Sequence, residues 1–161
     1  MNLEIIKNKL EIYRKRAPNS YNKIADVTSS FYLFHQKLFT STGNILENKY
    51  RLGHAEIDVL WTLYVSDTEE NILTPTKIKE NLFFTGGAIT NILKKMEIRN
   101  FITRSQDQYD KRIKYVQLTK DGKEIFEKAM SEILLQEEKI FSILDEQEKE
   151  QFEKTLNKLL I

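Results

Sequence analysis

The chain has 161 residues, of which 30% are charged, a formal net charge of +1 and no cysteine. This length suits one domain with a sizeable core and leaves no room for an added cofactor-binding enzyme domain. Without cysteine there is neither a disulfide framework nor a thiolate metal site, and the charged N-terminus lacks the apolar run of a signal peptide, so we expect a cytoplasmic protein.

Two apolar stripes with helical spacing open the chain. The first comprises Leu3, Ile6, Leu10 and Tyr13, and the second comprises Ile24, Val27, Phe31, Phe34 and Leu38. The second helix is predicted to end in the polar run from Ser41 to Asn44.

A short helix is predicted to begin after Thr74. The order Thr74, Pro75 is typical of an N-cap followed by proline in the first helical position. In the following TKIKENL segment, Ile78 and Leu82 share one face and are expected to point inward.

A second helix is predicted over GGAITNILKKMEIRN, with Thr85 as its N-cap. Its apolar residues, Ile89, Ile92, Leu93 and Met96, recur with helical spacing and should face the core. The opposite face carries Thr90, Asn91, Lys94 and Lys95, an order in which small hydrogen-bonding groups suit base edges and ammonium groups suit phosphates. An ordinary solvated helix face is the alternative.

Two β-prone segments, FITRS and KYVQL, follow and enclose the polar stretch QDQYDKRI, which predicts a hairpin. Asp110 stands beside Lys111 and Arg112, where its carboxylate can hold the turn or the guanidinium so that the cations project. An arginine at such a tip suits the electronegative minor groove. A plain charged turn is the alternative.

The C-terminal part predicts two more helices. Thr119 is the expected N-cap of the first, and Asp145 with Glu148 forms a capping-box pattern before the second. These helices carry more apolar residues than one small core needs, which favours a symmetric dimer over an intramolecular bundle.

Positive charge is concentrated in one part of the chain. Residues 74–118 contain nine lysines and arginines against four acidic residues, whereas residues 119–161 contain seven lysines against eleven acidic residues. A basic segment inside a nearly neutral chain is a pattern of nucleic-acid binding.

The run from LTPTKIKENL through TGGAITNILKKME, FITR and DQYDKR to VQLTKDG resembles the DNA-binding region of the MarR family of bacterial transcription regulators. The resemblance implies a mainly α fold with a small β-wing, that is, a winged helix-turn-helix. It implies one domain over residues 1–161, in which 1–48 and 120–161 supply dimerisation helices and 53–119 the winged helix.

Within that family, the TGGAITN, LTPT and IYRKRAP segments resemble most the PecS-like, urate-responsive branch. The branch's ligand pocket maps to Tyr13, Asp58, Ile92 and Arg104, of which Ile92 replaces an arginine and argues against urate itself. We therefore predict Tyr13, Asp58 and Arg104 as effector-binding residues. A structural ion pair between Asp58 and Arg104 is the alternative.

The resemblance predicts a homodimeric regulator of palindromic double-stranded DNA, acting as a repressor released by a small aromatic or anionic effector. Thr85, Gly86, Gly87, Thr90 and Asn91 would face the major groove, Lys111 and Arg112 the minor groove, and Thr76, Lys94 and Lys95 the phosphates. Thr74 is also predicted to bind DNA. Asp110 would support the wing. No catalytic group, cofactor or metal site is predicted. A winged helix used for protein contact is the competing hypothesis.

Overall fold

The computed structural model describes residues 3–68, 70–82 and 86–160, which form seven α-helices, one π-helical turn and three short strands. The helices are α1 Leu3–Arg16, α2 Ile24–Ile45, α3 His54–Tyr64, α4 Pro75–Leu82, α5 Gly86–Ile98, α6 Lys120–Phe141 and α7 Glu146–Leu160. The strands are β1 Ile72–Leu73, β2 Ile102–Gln106 and β3 Lys114–Leu118, and the π-turn is Leu46–Tyr50. The chain divides into two compact units, one up to Thr42 together with Gln136 onward, the other from Gly43 to Leu135.

The first unit is helical and leaves much apolar surface open. Phe34 packs edge-on against Phe141 and Phe152, with ring centroids 5.3 Å and 5.9 Å away. Neither α1 nor α7 has a buried residue. None of the helices in the described part of the chain is long and apolar enough to cross a membrane.

The second unit contains the hydrophobic core and the sheet. The strands pair antiparallel in the order β1-β3-β2, with Arg104 opposite Val116 and Leu73 also opposite Val116. The core lies between this sheet, α3, α4, α5 and the first half of α6. Its fully buried large side chains are Leu46, Val59, Leu60, Leu63, Ile78, Leu93, Met96, Ile102 and Val116.

The predicted end of α2 near Ser41–Asn44 is wrong, because the helix runs through Gly43 to Ile45 and continues as the π-turn. Gly43 is a packing site and not a helix stop. A Cβ on Gly43 would lie 2.8 Å from Cε1 of His54, so its missing side chain makes room for the imidazole at the start of α3. The chain turns later, at Arg51, whose φ of 52° is left-handed.

The predicted caps of three helices are confirmed. The backbone N–H of Lys77 donates to the Thr74 hydroxyl at 3.2 Å, and that of Gly122 donates to the Thr119 hydroxyl at 2.9 Å. Asp145 and Glu148 exchange both bonds of a capping box, at 2.8 Å and 3.0 Å. The fourth predicted cap, Thr85, lies outside the described residues.

Candidate nucleic-acid interface

Helix α5 has one buried and one exposed face, as its spacing predicts. Ile89, Leu93 and Met96 are buried, and Ile92 is partly buried against the same core. On the other side, Thr90, Asn91, Lys94 and Lys95 are all exposed. The helix begins at Gly86, followed by Gly87, and ends at Ile98, two residues before the predicted end, because the chain reverses at Asn100 with a φ of 59°.

Helix α4 packs against both α3 and α5, so the two predicted helices of the helix-turn-helix are in contact. Ile78 anchors α4 in the core. Thr76 is exposed on its first turn, whereas Thr74 is half-buried and its hydroxyl is occupied by the cap. Thr76 is therefore better placed than Thr74 to donate to a phosphate.

The predicted hairpin is present, and its loop is organised by Asp107. The carboxylate of Asp107 accepts the backbone N–H groups of Tyr109 at 2.8 Å and Asp110 at 2.9 Å, and the Tyr115 hydroxyl at 3.3 Å. These backbone N–H groups hold the pKa of Asp107 below its usual range. The loop is thus tied internally by an ionised side chain, although it contains no glycine.

Asp110 holds Arg112, as predicted. Its carboxylate accepts Nε and Nη2 of Arg112, each at 3.0 Å, and also the Arg112 backbone N–H at 3.0 Å. The Arg112 side chain remains 91% exposed, so the bidentate pair orients the guanidinium without burying it. The same bonds lower the pKa of Asp110, with the guanidinium as the larger cause.

The nine cations of residues 74–118 are not equivalent. Arg104 donates from Nε to Glu97 at 2.8 Å, and the two side chains form an ion pair between β2 and α5. This pair lowers the pKa of Glu97. Of the six lysines in residues 74–118, Lys77 pairs with Glu80, and the other five make no ion pair with a described residue: Lys79, Lys94, Lys95, Lys111 and Lys114.

Arg99 is also committed to the fold. It donates to the backbone carbonyls of Arg51 at 2.6 Å and Tyr50 at 2.8 Å, where the π-turn ends. Its guanidinium carbon lies 4.5 Å from the centroid of the Phe101 ring, and its Nη1 lies 3.9 Å from Oε1 of Glu56. Arg99 therefore joins the end of α5 to the start of α3 and is not available to a phosphate.

The predicted effector residues are engaged to different degrees. The Tyr13 hydroxyl lies 3.2 Å from both the carbonyl and the hydroxyl oxygen of Ser20. Asp58 is an exposed residue, yet the surrounding protein still desolvates its carboxyl and raises its pKa, and His54 partly offsets this. The alternative ion pair between Asp58 and Arg104 is wrong, because Glu97 on the adjacent helix takes the guanidinium.

Sequence reasoning missed Asp107, Tyr115, Glu97 and Arg99. Asp107 had a local signal, since an aspartate at the start of a tight turn accepts N–H groups two and three residues ahead. For Arg99 and Glu97 the partners lie on other elements. Strand β1 was missed because two residues carry no periodicity.

A family model described as transcriptional regulator SarA/Rot matches residues 42–129. The HTH-type transcriptional regulator PrsX of Escherichia coli is 30% identical over 111 residues, which cover 69% of this chain. The match spans 66% of the length of PrsX, just under two thirds.

Solved structures extend the comparison of the fold to most of the chain. Staphylococcus aureus MepR, a transcription regulator of the multidrug efflux pump MepA, is 26% identical with a TM-score of 0.69, covering 83% of this chain and 95% of MepR. A mutant MarR from E. coli, solved with operator DNA, is 22% identical with a TM-score of 0.73, covering 89% of this chain and 99% of that one.

Proposed function

Because this chain belongs to the SarA/Rot family of transcriptional regulators, with the winged-helix fold of MarR proteins, we propose that it binds a palindromic DNA duplex as a homodimer in the cytoplasm. We propose that it acts as a DNA-binding transcriptional regulator, as its family membership suggests. The two-fold arrangement, the contact residues and the response to an effector are our proposal.

The observation that carries the proposal is the exposed polar face of α5 in the same compact unit as a cationic wing. Thr90 and Asn91 would read base edges in the major groove, with Gly86 and Gly87 allowing close approach at the helix start. Lys94, Lys95 and Thr76 would hold phosphates, and Lys111 and Arg112 would enter the minor groove. Thr85, which precedes Gly86 in the sequence, belongs to this proposed set.

The open apolar surface of the first unit supports the homodimer. Val27, Tyr32 and Leu159 are 64%, 68% and 79% exposed, and large exposed apolar surfaces are uncommon on soluble monomers. A two-fold partner covering such helices would present two copies of α5 to a symmetric site. Sedimentation equilibrium of the purified protein tests this, and a monomer at micromolar concentration would contradict it.

The DNA contacts are tested with duplexes selected from a random pool by the full-length protein. We expect Asn91→Ala to reduce the preference for the selected site over random duplex by about 1–3 kcal/mol, because Asn91 reads a base edge. Lys95→Ala should weaken both duplexes alike and reduce the salt dependence, because Lys95 neutralises a phosphate.

Asn44→Ala is a matched control, since Asn44 is an exposed asparagine on a helix outside the interface. Equal losses from Asn91→Ala on selected and random duplex would contradict base reading. Failure of the wild-type protein to retain any duplex in dilute buffer would instead favour a winged helix used for protein contact.

We further propose that the protein is a repressor released by a small aromatic or anionic effector that contacts Asp58 and Arg104 of the second unit. The effector role of Tyr13, which belongs to the first unit, stays a prediction. Asp58 makes no ion pair among the described side chains, so its carboxylate can receive a ligand's donor. Arg104 would have to exchange Glu97 for the ligand, and a partly exposed pair of this kind costs only about 1 kcal/mol to open. A screen of small aromatic acids for release of the bound duplex tests the proposal.

A further inference from the structure

The tip of the wing displays an aromatic side chain that the proposed contacts do not use. Tyr109 is 96% exposed, more than any other large apolar side chain of the described residues. Its phenol makes no hydrogen bond or ring contact within the part of the chain that the structure covers. A tyrosine held so completely in water gains nothing for the fold, since stabilisation by an apolar ring requires its burial.

The backbone under this ring is nevertheless fixed. The Tyr109 N–H donates to Oδ1 of Asp107 at 2.8 Å, and the next N–H, of Asp110, donates to the same oxygen at 2.9 Å. The loop is closed on its other side by backbone bonds from Asp107 N to Ile113 O at 3.1 Å and from Ile113 N to Asp110 O at 2.9 Å. The ring is therefore presented from a defined turn.

The charges around the ring indicate what it meets. Lys111 and Arg112 are exposed beside it, whereas Asp107 and Asp110 are half-buried and their carboxylates accept bonds from groups of the hairpin itself. The exposed side chains of the tip thus include one aromatic ring and two cations, of which Arg112 is oriented by Asp110 and Lys111 makes no ion pair among the described residues. A nucleic-acid backbone offers the complementary surface, because apolar deoxyribose edges alternate with anionic phosphates along it.

We infer that Tyr109 is a third DNA-contacting residue of the wing. Its ring packs on a deoxyribose at the wall of the minor groove, and its hydroxyl donates to the adjacent phosphate. Asp107 is the positioning residue that aims it. This inference rests on the proposed function, because it requires the wing to lie on a duplex.

The test uses the full-length protein and the duplex selected from a random pool, with affinity measured at several salt concentrations. We expect Tyr109→Ala to weaken binding about tenfold at every salt concentration, because an uncharged contact is lost. Tyr109→Phe keeps the ring and should lose about threefold or less. Arg112→Ala should lower the slope of log affinity against log salt by about 0.9 for each subunit, which Tyr109→Ala should not do.

Gln108→Ala is the matched control, because Gln108 is the exposed, uncharged neighbour at the same tip. We expect it to bind like the wild type. In the unaltered protein, the duplex should protect Tyr109 from nitration by tetranitromethane, whereas the free protein should be nitrated there readily.

The outcomes separate the two levels of the proposal. If the wild type binds and Arg112→Ala weakens it, but Tyr109→Ala binds within twofold of the wild type or Tyr109 is nitrated equally with and without DNA, the inference is wrong and the proposed function stands. Equal losses from Gln108→Ala and Tyr109→Ala would also overturn it. If the wild type retains no duplex, both fail together.

Discussion

A substitution of Arg99 is expected to change the stability of the fold without changing the proposed DNA surface. Arg99 lies directly after α5, inside the basic segment, yet its guanidinium donates to the carbonyls of Tyr50 and Arg51. Arg51 has a left-handed backbone, which costs about 1–2 kcal/mol for a residue with a side chain. The Arg99 guanidinium thus stabilises the turn that brings α3 under α5. We expect Arg99→Met to destabilise the fold while leaving the proposed DNA surface intact.

The size of the effect follows from these contacts. A hydrogen bond from a charged donor is worth about 1.5–3 kcal/mol, and two bonds from one guanidinium add less than twice that. The stack on Phe101 contributes about 0.5–1 kcal/mol more, and methionine keeps some of the packing of the stem. We expect the free energy of unfolding to fall by about 2–4 kcal/mol, which lowers the melting temperature by about 4–16 °C for a chain of this length.

The assay is urea and thermal unfolding followed by circular dichroism at one fixed protein concentration, since a dimer's stability depends on concentration. Lys95→Met is the matched control, because Lys95 is an exposed cation one turn earlier that makes no ion pair among the described residues. We expect it to change stability by less than about 1 kcal/mol. Similar losses from both substitutions, or no loss from Arg99→Met, would refute the assignment of Arg99 to the fold.

Two further predictions concern the second unit. Gly122→Ala should lower the free energy of unfolding by about 3 kcal/mol or more, because the new Cβ would lie 2.1 Å from the Phe101 carbonyl oxygen. Gly53→Ala is the control, since its Cβ would lie 3.6 Å from its nearest neighbour. Equal losses of stability from both substitutions in chemical denaturation would contradict the clash. The order of the wing loop should also depend on pH. Asp107 and Asp110 have lowered pKa values, so their bonds favour the ordered loop above the ordinary pKa of aspartate, near 4, and are lost as the pH falls below it. The amide shifts of Tyr109 and Asp110 in NMR spectra should titrate with midpoints below about 4, and midpoints above that value would count against the carboxylate bonds.

The features that the sequence predicts correctly depend on residues close together in the chain. Thr74 and Thr119 cap helices through N–H groups three residues ahead, and a helix places Ile89, Leu93 and Met96 on one face whatever surrounds it. The hairpin and the ion pair between Asp110 and Arg112 also join residues that are close together in the chain. Local geometry alone accounts for these elements, so the sequence predicts them without knowledge of the rest of the fold.

Tertiary packing decides the features for which the partners lie far apart. Gly43 looks like a helix end, but α2 continues because the glycine accommodates the ring of His54. Arg99 and Arg104 lie in the basic segment, but the fold brings Arg99 to two backbone carbonyls and Arg104 to Glu97. A charged side chain takes whichever partner the fold presents, and no spacing rule encodes a partner on another element. Composition and periodicity therefore specify the helices, the hairpin and the sign of the charge in each segment. Only the packed core determines which cations stay unpaired and can take part in the proposed DNA contact.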